Sequence, residues 1–195
     1  MKIFLTSSAS QVMDKIVKIL PKGAKDLKLA FVPTAGDPYG DDKPWIIADR
    51  AKLVELGFQL KDFDLKNKTE KQTRETLSKF DVVFVAGGNT FYLLDLARKS
   101  GFDKVVPELV KKGTIYIGSS AGSYLACPTI EAAGWKHADR NIPGLKDLTA
   151  LGLVEYLIVC HYSDKYKDVI AKGRKSTKYP VRTLTDEQFI FNESP

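Results

Sequence analysis

Short continuous apolar runs alternate along this chain with stretches in which apolar residues return every three or four positions. "KIFLT" (2–6) is a short β-rich run, and Val12, Met13, Ile16 and Ile19 then recur at helical spacing until Pro21. "LAFVPT" (29–34) predicts a buried strand. A Gly, Asp and Pro-rich loop leads from it to a helix with Pro44 in its first turn, with Trp45, Ala48, Leu53 and Leu56 within it and Gly57 at its end. "FQLKDFDL" (58–65) alternates and predicts a strand with one less-buried face, and 70–79 predicts a polar helix. "DVVFVA" (81–86) and "TIYIG" (114–118) are β-branched runs of the kind covered on both faces in a central parallel sheet. Between them lie a helix carrying Leu93, Leu94 and Ala97 on one face and a second, near 102–112, ending at Gly113. The stretch 128–150 is irregular. "LVEYLIVC" (153–160) predicts a strand, 164–173 a helix, and "VRTLT" (181–185) with "QFIFN" (188–192) a closing strand pair across the turn "DE".

Strand–helix alternation of this kind predicts an α/β fold, a three-layer α/β/α sandwich around a mostly parallel sheet. The 195 residues suit one compact domain spanning 1–195, with no repeat, low-complexity tract or linker to divide it. The net charge of +6 comes from cations scattered among acids, so it predicts solubility and no nucleic-acid partner. No run reaches the roughly 20 apolar residues of a membrane span, so no membrane partner is expected. Cys127 and Cys160 form neither a disulfide framework nor a zinc spacing, which points to a reducing, cytoplasmic location. Neither a metal nor a cofactor is implied. The expected oligomeric state is a monomer or homodimer.

In open parallel sheets, ligands bind beyond the carboxyl ends of the strands, so the residues just past each strand carry the candidate chemistry. After 114–118 comes "GSSAG" (118–122), a G-x-S-x-G pattern between strand and helix. A sharp turn there lifts the middle side chain above the sheet, which makes Ser120 the candidate nucleophile. Ser119 and Ser123 are its capping or supporting neighbours, and a plain serine N-cap is the alternative reading. After 81–86 come Gly87, Gly88 and Asn89. Acyl transfer needs two donors for the oxyanion, and the N–H groups of Gly88 and Ala121 are the candidates. After 153–160 comes His161, placed to take the serine proton. The other histidine, His137, falls in the irregular stretch and reads as a surface or substrate-side group. Two carboxylates could orient His161. Asp186 follows the strand 181–185, with Glu187 beside it, and Asp139 lies in the loop after the nucleophile helix; parallel pairing of the flanking strands favours Asp186.

Three blocks, "VFVAGGNTFYLL" (83–94), "IYIGSSAGSYLACPTI" (115–130) and the strand ending in "CHY" (160–162), together resemble the serine peptidase family of aspartyl dipeptidase (dipeptidase E) and cyanophycinase. The resemblance implies a fold like that of class I glutamine amidotransferases, with serine in place of cysteine. It also implies Ser120 as nucleophile, His161 as base, Gly88 and Ala121 as oxyanion donors, and Asn89 holding the amino end of a small peptide substrate. The family's acid matches either Asp139 or Asp186. Two departures stand out. Cys160 occupies a position where the family often has proline, and the region after the histidine is short and basic, so that Lys165, Lys167 or Arg174 would replace a substrate-binding arginine. The expected activity is serine-type hydrolysis of short peptides through an acyl-enzyme, with Asp-X dipeptides as the family-implied substrates. An esterase of the α/β-hydrolase type and a non-catalytic ligand-binding domain of the same fold are the competing readings.

Overall fold

A computed structural model describes residues 1–136 and 139–193 of the chain. Its main sheet has the order β3-β2-β4-β5-β1-β8, built from β1 (Lys2–Thr6), β2 (Lys28–Val32), β3 (Gln59–Asp62), β4 (Val82–Val85), β5 (Ile115–Ser119) and β8 (Phe189–Glu193). All pairs are parallel except the edge strand β8, which runs antiparallel to β1. A separate two-stranded parallel sheet joins β6 (Leu157–Val159) to β7 (Val181–Thr183).

The period-two alternation of the central strands divides the core into two layers. Ile3 and Leu5 of β1, Val83 and Val85 of β4, and Tyr116 of β5 face one side. There they meet α4 (Thr90–Lys99), α5 (Phe102–Lys111) and α6 (Ala121–Leu125). Phe4, Val82, Phe84, Ile115 and Ile117 face the other side, against α1 (Ala9–Ile16) and α2 (Pro44–Glu55). β3 closes the far edge, where exposed Lys61 and Asp62 discourage further strand pairing. α3 (Glu70–Leu77) begins on a capping box: the Thr69 hydroxyl accepts the Gln72 N–H, and the Gln72 side chain accepts the Thr69 N–H. α7 (Lys167–Ser176) lies between β6 and β7. No described helix is long and apolar enough to cross a membrane.

The structure revises three expected elements. The run 153–160 contributes only Leu157–Val159 as strand, and 58–65 only Gln59–Asp62. The two closing segments do not pair with each other. β7 joins β6, while β8 crosses to β1, where Phe191 stacks on Phe4 at 4.6 Å between ring centroids. Aromatic burial against a core strand outweighs the local hairpin that the short turn suggested.

The parallel strands that matter for the site end flush. Thr6 of β1 pairs with Ser119 of β5, and Val85 of β4 pairs with Gly118. The bend after β5 is possible only because Gly122 sits against β4: a Cβ there would lie 2.2 Å from the Val85 carbonyl oxygen. We expect Gly122→Ala to cost about 2–3 kcal/mol through this clash. A thermal melt should record that as a fall in Tm of roughly 5–10 °C.

Candidate active site

Ser120 stands between β5 and α6 with φ 47° and ψ −104°, a conformation that L-residues rarely adopt. Holding it there costs on the order of 1–3 kcal/mol. Backbone bonds enforce it: the Ser120 N–H donates to the Thr6 carbonyl at 3.0 Å, and the Ser120 carbonyl accepts from Ser123 and Tyr124 at 2.8 and 3.1 Å. The two neighbouring serines brace the bend. The Ser123 hydroxyl lies 2.7 Å from the Thr6 carbonyl and 2.8 Å from that of Gly118, and accepts the Thr6 N–H at 2.9 Å. The Ser119 hydroxyl accepts the Ala9 N–H, at the start of α1, at 3.3 Å.

His161 follows β6 and shares a positive φ with Ser120, at 53°. Its N–H donates to the Ser7 hydroxyl at 2.9 Å, and that hydroxyl donates to the Leu184 carbonyl at 2.9 Å. Lys136, whose ammonium donates to the Cys160 carbonyl, ties down the preceding peptide. Burial pushes this lysine below the usual ammonium range. So anchored, the imidazole reaches the bend: Nε2 is 2.9 Å from Ser120 Oγ, and Nδ1 is 2.5 Å from Asp186 Oδ1. With the imidazole proton on Nδ1 facing the carboxylate, Nε2 is left to accept the serine hydroxyl proton.

The parallel pairing of β6 with β7 brings Asp186 to His161. Asp139 is placed differently. Its Oδ2 accepts the Thr90 N–H at the start of α4 at 2.9 Å, and it makes no hydrogen bond to His161. Burial raises its carboxyl above the usual carboxylate range. Glu187 is exposed, and its carbonyl accepts from Lys15.

Gly88 has φ 144° and packs so tightly on the Thr34–Tyr39 turn that a Cβ would lie 2.1 Å from the Ala35 carbonyl oxygen. The adjacent Asn89 N–H donates to that same carbonyl at 2.8 Å. Gly88 lines the cavity beside Ser120, and Ala121 opens α6 directly after it. Asn89 is buried with its amide engaged at both ends. Its Oδ1 accepts the Tyr92 N–H and its Nδ2 donates to the Arg140 carbonyl, both at 2.9 Å. The Arg174 guanidinium donates to the Val181 carbonyl at 3.4 Å, and this residue does not line the cavity. Lys165 stacks on the Tyr166 ring, and Lys167 is exposed at the start of α7. His137 lies outside the described residues.

The cavity has a volume of about 330 Å³, a size that admits one or two amino-acid residues. Ser7, Ser8, Tyr39, Trp45 and Asp49 line it together with residues already named. Sequence reading passed over these five. Ser7 and Ser8 follow β1, so the strand-end rule applied to the other strands would have found them. Asp49 had one signal, a charged residue one turn past Trp45 on the predicted helix. Cys160 and Cys127 are fully buried, and burial pushes the Cys160 thiol up to about 12, so neither offers a reactive thiolate near neutral pH.

The model of peptidase family S51 matches residues 3–193. An uncharacterized peptidase of Pasteurella multocida (PM1590) is 29% identical over 97% of this chain and 92% of its own length. Peptidase E of Streptomyces coelicolor is 30% identical over 89% of this chain and 69% of its own length. Among solved structures, that of a candidate Peptidase E from Listeria monocytogenes EGD-e superposes with a TM-score of 0.85 at 27% identity, covering 98% of this chain and 93% of that one. A match over nearly the whole length, joined to the same α/β architecture, settles the kinship: the chain belongs to peptidase family S51.

Proposed function

We propose that this peptidase hydrolyses short peptides with Ser120 as nucleophile, His161 as general base and acid, and Asp186 as the carboxylate that orients the imidazole. The observation that carries the reading is the unbroken line from Asp186 Oδ1 through His161 to Ser120 Oγ, 2.5 and 2.9 Å at its two links. Ser120 Oγ attacks the scissile carbonyl carbon as its proton passes to His161 Nε2. The N–H groups of Gly88 and Ala121 receive the oxyanion. As the C–N bond breaks, the leaving amine takes the proton from Nε2. Water, deprotonated by the same nitrogen, then releases the acyl group and restores Ser120. Asn89 supports this site by fixing the Arg140 segment beside α4 through one of its two amide hydrogens, which leaves the other for a substrate.

Asp-X dipeptides are the finer, family-implied substrates. A side-chain carboxylate in the cavity calls for a cation, and among the described residues none that lines it is a lysine or arginine. Short peptides without that restriction therefore fit the cavity better, and membership of a peptidase family argues against the esterase reading.

A fluorophosphonate probe should label the wild type, with the adduct mapping to Ser120 by peptide mass spectrometry. Dipeptides should be cleaved faster than short-chain esters of matched size. Absence of labelling under conditions where a control serine hydrolase reacts would remove the nucleophile from the scheme.

A further inference from the structure

The cavity beside Ser120 carries a charge pattern that bond cleavage does not use. Two of its described lining residues are carboxylates, Asp49 and Asp139, and none of the described ones is a lysine or arginine. Asp49 is only 3% exposed. Its Oδ1 accepts the Ser10 N–H of α1 at 2.8 Å, which fixes the carboxylate rather than leaving it to swing into solvent. One helical turn earlier on α2, Trp45 donates its indole N–H to the Gly87 carbonyl at 3.1 Å. Tyr39 meets the Trp45 ring edge-on, 5.2 Å between centroids at 86°. Indole and phenol rings beside a fixed carboxylate form a surface suited to an organic cation, which the ring quadrupole and the ionic charge attract together. Lys136, which acts through space on Asp139, donates to the Cys160 carbonyl, and Arg174 donates to that of Val181. Burial also holds the Asp49 and Asp139 carboxyls above their usual range, a desolvation cost that a cation entering the cavity offsets.

We propose that this cavity receives a positively charged side chain, with Asp49 reading the charge, so that the residue whose carbonyl is attacked is lysine or arginine in preference to aspartate. The preference rests on the serine-peptidase reading of Ser120 and His161, since those two residues define where the scissile carbonyl lies. Asp49 acts as a specificity residue that touches the substrate side chain.

Four dipeptides isolate charge at nearly constant shape: Lys-Leu against norleucyl-Leu, and Asn-Leu against Asp-Leu. In the wild type, kcat/KM should favour Lys-Leu over norleucyl-Leu by about tenfold, and Asn-Leu over Asp-Leu by a similar factor. In Asp49→Asn the lysine-to-norleucine ratio should fall towards one. The wild-type ratios decide the matter even if that variant folds poorly. Lysine no better than norleucine, or aspartate as good as asparagine, overturns the preference; an unchanged ratio in a folded Asp49→Asn removes Asp49 as its reader. A binding readout separates this failure from failure of the chemistry. Lysinamide should slow fluorophosphonate labelling of Ser120 at concentrations where norleucinamide does not. Labelling that both amides slow equally rejects the cation subsite and keeps the nucleophile. A protein that neither labels nor cleaves any of the four rejects the peptidase mechanism, and the preference with it.

Discussion

Ser120→Ala should abolish fluorophosphonate labelling and lower kcat for dipeptide hydrolysis by a factor of about 10⁴ or more, while leaving the fold in place. Removing the attacking oxygen leaves only binding and the oxyanion donors, which in serine hydrolases retain a small residue of the rate. The fold should survive because main-chain bonds hold the bend. The Thr6 carbonyl takes the residue-120 N–H, and the Ser123 and Tyr124 N–H groups take its carbonyl. Alanine keeps the Cβ and hence the unfavourable φ of 47°, so the melting temperature should stay within a degree or two. Ser120→Gly is the informative companion. It should be equally inactive yet more stable, by about 1 kcal/mol, because glycine enters the positive-φ region without the Cβ penalty. A bend that costs stability for the sake of one side chain is the mark of a site built for reaction. If Ser120→Ala retains more than a few per cent of wild-type kcat, the hydroxyl is not the nucleophile.

The positions that sequence reading located are those that follow local rules. Apolar run, glycine, serine and small residue occur in order along one stretch, and the bend they form depends on contacts such as that of Gly122 with Val85. His161 and Asp186 were legible for the same reason, each just past an apolar run, and the parallel pairing of β6 with β7 brings them together. What stayed hidden depended on packing between distant segments. Nothing in "QFIFN" announces that Phe189 and Phe191 pack against Phe4 across the sheet and draw β8 away from β7. Asp49 was almost as obscure, because it reaches the cavity from a helix 71 positions before Ser120 and meets the Ser10 N–H only once α1 and α2 are docked. Asn89 adds a structural role to the substrate contact that its place beside the glycines suggests: it caps α4 and clamps the Arg140 segment.

The choice between the two candidate acids yields the second large effect. Asp186→Asn should lower kcat by about 10³–10⁴, because the carboxamide can turn its NH₂ towards Nδ1, stabilise the wrong tautomer and direct the remaining ring proton at Ser120. It also removes the negative charge that stabilises the imidazolium formed during attack. Asp139→Asn acts on a different part of the molecule. It weakens the acceptor for the Thr90 N–H at the start of α4, which should cost about 1 kcal/mol of stability. Any kinetic effect should fall mainly on KM, since its carboxylate lines the cavity without bonding His161. Steady-state kinetics at saturating substrate distinguish the two, because kcat then reports on the tautomer and proton transfer while KM absorbs changes in the cavity wall. The partial exposure of the His161–Asp186 pair makes the comparison clean: both side chains are 45% accessible, so replacing the carboxylate leaves no buried unpaired group to unfold the protein. Should Asp139→Asn lose as much kcat as Asp186→Asn, the carboxylate beside α4 would be the working acid, and His161 would have to turn during catalysis to reach it.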